Sequence, residues 1–187
     1  MLHKCDNNVS AVAGQTFRIA AVNWLWETEY YVEEDGNIPA IAFLGSVPAA
    51  VRKELIATKY SVEMAGGPVQ FGNFEERHKA MWGVCDGLHE ARDRHAQTLY
   101  RLYLLWFASE RRVVVLDGAV KSNATTLPNS VYDRLATIRD RILESSQERP
   151  FASPAQVTRA LWAVNEKLQE ERDAALKRKT KAGKNRK

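Results

Sequence analysis

A chain of 187 residues with 45% apolar and 27% charged side chains suits one ordinary folded domain plus an appendage, and excludes two large domains. Its net charge of +4 comes from the end of the chain: residues 177–187 carry seven Lys or Arg and no acid, so the rest of the chain sums to −3. That excludes a uniformly basic domain and suggests a polyanion-seeking tail, with nucleic acid the candidate polyanion.

Two isolated cysteines, Cys5 and Cys85, make neither a disulfide framework nor a four-ligand zinc site, and fit a reducing compartment. Residues 1–14 lack the pattern of a secretory signal, and no apolar run nears the ~20 residues of a membrane span. A soluble, cytoplasmic protein is the expectation.

Residues 1–16 are small and polar and read as a flexible lead-in. Residues 17–32 turn aromatic and β-branched, which predicts extended structure ended by the Asp35-Gly36-Asn37 turn. Two helices follow over 39–44 and 48–64. Each opens on a proline, and the second carries Val51, Leu55, Ile56 and Tyr60 at helical spacing before Gly66, Gly67 and Pro68 stop it. Runs at 88–93, 98–107 and 112–121, separated by short polar turns, predict an antiparallel meander. Residues 128–145 return to a helical period through Val131, Leu135, Ile138 and Ile142. After a break near Pro150, Ser153 as N-cap and Pro154 at the first helical position start a last helix, which becomes almost wholly charged from Glu166.

Strand side chains alternate, so parity decides which of them meet. On one face of each run it groups Leu88, Glu90 and Arg92; Leu99, Arg101, Tyr103 and Leu105; and Val113, Val115, Asp117, Ala119 and Lys121. Hairpin connections then bring Arg92, Arg101 and Lys121 to one concave face, with Tyr103, Glu90 and Asp117 beside them. Fixed cations there suit attack of a ribose 2′-OH on its own phosphate, because they stabilise the charge gained in the transition state. Arginine adds bidentate donors matched to phosphate. A plainer reading stays open, in which Glu90 neutralises Arg92 as an ordinary ion pair.

At these residues the sequence resembles the RelE/HigB-type toxins of type II toxin-antitoxin systems, in particular their phage-derived RelE-like branch. The matching stretches are Gly87-Leu88-His89-Glu90-Ala91-Arg92, Tyr100-Arg101-Leu102-Tyr103, Leu116-Asp117-Gly118-Ala119-Val120-Lys121 and Pro128, in that order, within residues 25–147. The resemblance implies an endoribonuclease that cleaves mRNA on the ribosome without metal or cofactor and is held inactive by a cognate antitoxin encoded nearby. The expectation for this site is that Arg92, Arg101 and Lys121 hold the phosphate while Tyr103 or Asp117 handles protons. Asp117 stands where such toxins commonly have a histidine, and Ser122 where a second lysine often follows. These departures keep open a rival reading, a non-catalytic RelE-like module that binds RNA or protein.

The expected architecture is α+β: a four-stranded, mostly antiparallel sheet with helices on one face and the other open to RNA. Residues 17–147 form this domain, and 148–187 a helical extension with a basic tail. His78 and Lys79, beside Arg77, form a small basic cluster read as a loop touching RNA, although a solvated loop explains it equally. His89 and His95 read as surface residues. Trp24, Trp26 and Trp82 are either core or stacking surfaces for exposed bases. Lys177, Arg178 and Lys179 of the tail grip RNA, fold back over the active face, or simply solubilise the end.

Overall fold

The computed structural model describes residues 26–72, 76–122, 127–144 and 151–184. The lead-in, most of the predicted first extended run, Trp24 and Cys5 lie outside these residues.

Chain order is β1 (Glu27–Tyr30), α1 (Pro39–Ser46), α2 (Ala49–Met64), a single turn α3 (Pro68–Phe71), β2 (His78–Ala80), β3 (Leu88–His95), β4 (Thr98–Phe107), β5 (Arg112–Ser122), α4 (Asn129–Glu144) and α5 (Pro154–Lys184). One five-stranded sheet runs in the order β1-β5-β4-β3-β2. The meander β2 to β5 is antiparallel, and β1 adds to β5 in parallel. The α+β class is as expected, but the sheet is mixed and has five strands. The additional strand is β2, in the stretch read as a loop: three residues give no alternation to detect, and only pairing with β3 extends them.

The sheet separates two cores. Phe43, Leu44, Val51 and Leu55 of α1 and α2 pack on Leu102, Leu104, Val113 and Val115. On the opposite face Leu135, Ile138 and Ile142 of α4 pack on Leu88, Tyr103, Leu105, Val114 and Leu116. The face expected to be open to RNA is therefore covered over part of its length by the apolar stripe of α4.

A bulge in the β4–β5 ladder joins the two patterns. Leu104 pairs with Val115 but Tyr103 with Asp117, so Leu116 is the extra residue. Strict alternation groups Val113 and Val115 with Asp117. The bulge instead leaves both valines facing α1 and α2, and turns Leu116, Asp117 and Ala119 toward α4. Gly118, next along, lies against the Phe43 ring so closely that any Cβ there would overlap it.

Helix α5 opens with a reciprocal capping box. The Ser153 hydroxyl accepts from the Gln156 N–H at 3.3 Å, and the Gln156 side chain accepts from the Ser153 N–H at 2.8 Å. Its 31 residues reach about 46 Å. The first half crosses α1 where Gly45 leaves room: a Cβ at Gly45 would come within 2.7 Å of Val164. Among the described residues, no helix is long and apolar enough to cross a membrane.

Candidate nucleic-acid interface

The β3–β4 hairpin turns through Ala96 and Gln97, with His95 opposite Thr98, and this fixes the register. Arg92 pairs with Arg101 and Glu90 with Tyr103, while on the other side of β3 Lys79 pairs with Glu90. Lys79, Glu90, Arg92, Arg101 and Tyr103 thus share the α4 face. Helix α4 covers the Leu88–Leu105 end of that face and leaves the arginine end open. The result is a cleft of about 630 Å³ with Glu90, Arg92 and Arg101 as floor, residues 79–84 as one wall, and Asn129, Tyr132 and Asp133 of α4 as the other.

Glu90 lies between the two arginines, its carboxylate oxygens 3.4 Å from Arg92 Nε and 3.1 Å from Arg101 Nη1. Side-chain exposures of 5% for Glu90, 17% for Arg92 and 11% for Arg101 show that both guanidinium groups are largely withdrawn from water. Burial opposes the charge on Arg101, but Glu90, Tyr103 and Tyr132 outweigh it and hold the guanidinium above its usual pKa. A phosphate entering here meets cations already desolvated and already oriented, the condition under which electrostatic stabilisation is strongest.

Most of the remaining predicted site residues are elsewhere. The Tyr103 hydroxyl is fully buried beside Arg101, and burial raises its pKa well above that of an ordinary phenol. Asp117, opposite Tyr103, accepts from the Gly118 N–H at 2.7 Å and pairs with Arg134, which also binds Glu33 at 2.6 Å. Burial raises the Asp117 pKa against these partners. Neither Tyr103 nor Asp117 lines the cleft. Lys121 pairs with Leu99, diagonal to Arg101 on the same face, and is half-buried outside the cleft wall. Lys79 does line the cleft, with its ammonium 5.0 Å from the centre of the Trp82 ring. Lys177 and Arg178 are exposed on α5; of Lys179 only its place in that helix is described.

His78 requires a correction. It is not a loop residue but lies in β2 at 1% exposure, on the sheet face away from the cleft, and a side chain so enclosed does not reach RNA. Its ring stacks on His89 at 5.0 Å with Phe71 edge-on, and its Nδ1 is 3.3 Å from the Gly72 carbonyl oxygen. His89, read as a surface residue, is half-buried. Burial, then the neighbouring His78, pushes the His89 pKa down to about 4, and burial lowers that of His78.

Below a pKa of ~6.5 the unfolded chain binds a proton that folded His89 refuses until about pH 4, so stability falls as pH drops through that window. The expected loss is roughly 2 kcal/mol from His89. Thermal midpoints of His89→Phe and the parent chain, compared between about pH 7 and about pH 4.5, should show a shallower fall for the variant.

Sequence reasoning missed Tyr132 and Asp133 as cleft residues. A usable signal was their place on the first turns of α4, off the Leu135–Ile138–Ile142 stripe. It also read Trp26 and Trp82 alike. Trp26 is core, edge-on to Trp106 at 5.1 Å and donating to the Glu63 carbonyl at 3.0 Å, whereas Trp82 is 79% exposed at the cleft. Cys85 is buried, and its thiol donates to the Tyr132 carbonyl at 3.3 Å. Among the described residues, no three His, Cys, Asp or Glu side chains are grouped to hold a metal ion. In comparisons with family models, with curated proteins and with solved structures, nothing matches this chain.

Proposed function

We propose that this chain is an endoribonuclease of the RelE/HigB toxin type, with a RelE-like sheet at its centre, acting on mRNA in the cytoplasm. The observation that supports this reading most directly is the pair Arg92 and Arg101, facing each other across two strands and largely desolvated at the floor of an open cleft. Both guanidinium groups hold the scissile phosphate and stabilise the phosphorane as the 2′-oxygen attacks. The leaving 5′-oxygen departs and a 2′,3′-cyclic phosphate remains. Glu90, the carboxylate between the arginines, takes the 2′-OH proton, and Tyr132 in the cleft wall returns one to the leaving oxygen. Lys121 and the α5 cations Lys177, Arg178 and Lys179 serve RNA or ribosome contact outside the cleft. A neighbouring antitoxin restrains the activity.

The burial of Tyr103 and the pairing of Asp117 with Arg134 favour a second reading, a RelE-like module that binds RNA without cutting it. Inducible expression followed by mapping of RNA 5′ ends separates the two. An active toxin stops growth within one induction, and new 5′-hydroxyl ends accumulate in mRNA. RNA binding by the purified chain with neither effect supports the second reading and excludes the first.

A further inference from the structure

Trp82 is the largest apolar side chain at the cleft, where the Lys79 ammonium lies over its ring. At 79% exposure its indole contributes almost nothing to the core, and Val84 beside it is 58% exposed. Yet the segment that presents it is firmly held. Gly83 turns through φ +64°, and the Gly83–Cys85 turn closes with Cys85 N–H donating to the Trp82 carbonyl and Asp86 N–H to that of Gly83. The Arg139 guanidinium of α4 donates to the carbonyls of Val84 at 2.9 Å and Asp86 at 2.7 Å. Cys85 is buried against α4. An exposed aromatic on an anchored frame loses little conformational entropy when it binds a ligand.

The chemistry around it narrows the ligand. Lys79 places its ammonium over the ring, and the same cleft holds Arg92 and Arg101. A ligand that satisfies both parts must join a flat, apolar ring to an anion, which is the description of a nucleotide. Bases in a duplex are already stacked and hide their faces, whereas an unpaired base offers one.

We infer that the Trp82 indole is a stacking platform for an unpaired nucleobase, which makes single-stranded RNA the substrate class of the cleft. The inference rests on the proposed ribonuclease reading and deepens it. Phosphate contacts at Arg92 and Arg101 fix the strand, and stacking at Trp82 sets which nucleotide lies beside the scissile bond.

The test is fluorescence anisotropy of the full chain with a labelled, uncleavable 2′-O-methyl RNA of about eight nucleotides, the same strand made abasic, and its duplex. The parent chain should prefer the single strand to the other two. Trp82→Ala should weaken single-strand binding about tenfold or more and erase the advantage over the abasic strand, whereas Trp82→Phe should keep most of it. Since the side chain is exposed, both variants should keep the parent thermal midpoint. If Trp82→Ala binds the single strand as tightly as the parent while Arg101→Ala does not, the platform is wrong, RNA binding stands, and the indole is left to a protein partner. Absence of RNA binding in the parent chain overturns both this inference and the ribonuclease reading.

Discussion

Arg101→Ala is expected to lower RNA cleavage by about 10²–10³-fold, the usual loss when one preorganised donor to a transition-state oxyanion is removed. Arg92→Ala should behave alike, because the two residues are cross-strand partners on the cleft floor. Lys121→Ala, outside the cleft wall, should change cleavage far less and act mainly on its salt dependence. Stability complicates the arginine variants, since Glu90 is buried between them and deleting one guanidinium leaves its charge poorly compensated. The double variant Arg101→Ala, Glu90→Gln resolves this. It should recover the thermal midpoint lost by Arg101→Ala because the uncompensated carboxylate is neutralised, and it should remain inactive because it lacks both the guanidinium and the carboxylate that takes the 2′-OH proton. Arg101→Lys keeps the charge without the planar fork and should fall between the parent and Arg101→Ala. Wild-type cleavage by a folded Arg101→Ala would sink the assignment of this cleft.

Much of this cleft could be read from the sequence because it rests on local rules. A two-residue turn between alternating runs sets the register, and the register alone puts Arg92 opposite Arg101. The helices were legible for similar reasons: Pro39, Pro48 and the Ser153-Pro154 pair mark starts, and the Leu135–Ile138–Ile142 stripe marks a buried face. What escaped is nonlocal. The parallel pairing of β1 with β5 depends on a partner more than 80 positions away, and nothing in Glu27–Tyr30 announces it. The bulge at Leu116 is hidden in an apolar run that offers no break in alternation. Asp117 looked like a proton-transfer group until α4 brought Arg134 to it, and His78 looked solvated until α3 and His89 closed around it. Polar residues show their chemistry in the sequence, but their burial only in the assembled fold.

Lys59 and Glu63 carry that point to its largest energetic consequence. A pair spaced i and i+4 on a solvated helix face is worth a few tenths of a kcal/mol. Lys59 and Glu63 are instead side chains of 5% and 7% exposure, 2.6 Å apart, with the Lys59 ammonium also donating to Thr28 Oγ1 of β1 at 2.9 Å. The pair therefore joins α2 to the edge strand under Trp26. Burial lowers the Lys59 pKa, and Glu63 opposes that shift. Glu63→Ala strands a buried ammonium and is expected to cost about 3–5 kcal/mol in denaturant unfolding, a large share of a typical domain's stability. Lys59→Met combined with Glu63→Leu removes both charges together and should recover most of the loss. The sign with pH gives an independent check. With Glu63 gone, folded Lys59 releases its proton at lower pH than the unfolded chain does, so the unfolded state binds more protons in that interval. Stability of Glu63→Ala should accordingly rise between about pH 7 and about pH 10, a trend the double variant should lack. A Glu63→Ala chain as stable as the parent across that range would mean that water reaches Lys59 and that the pair is an ordinary surface contact.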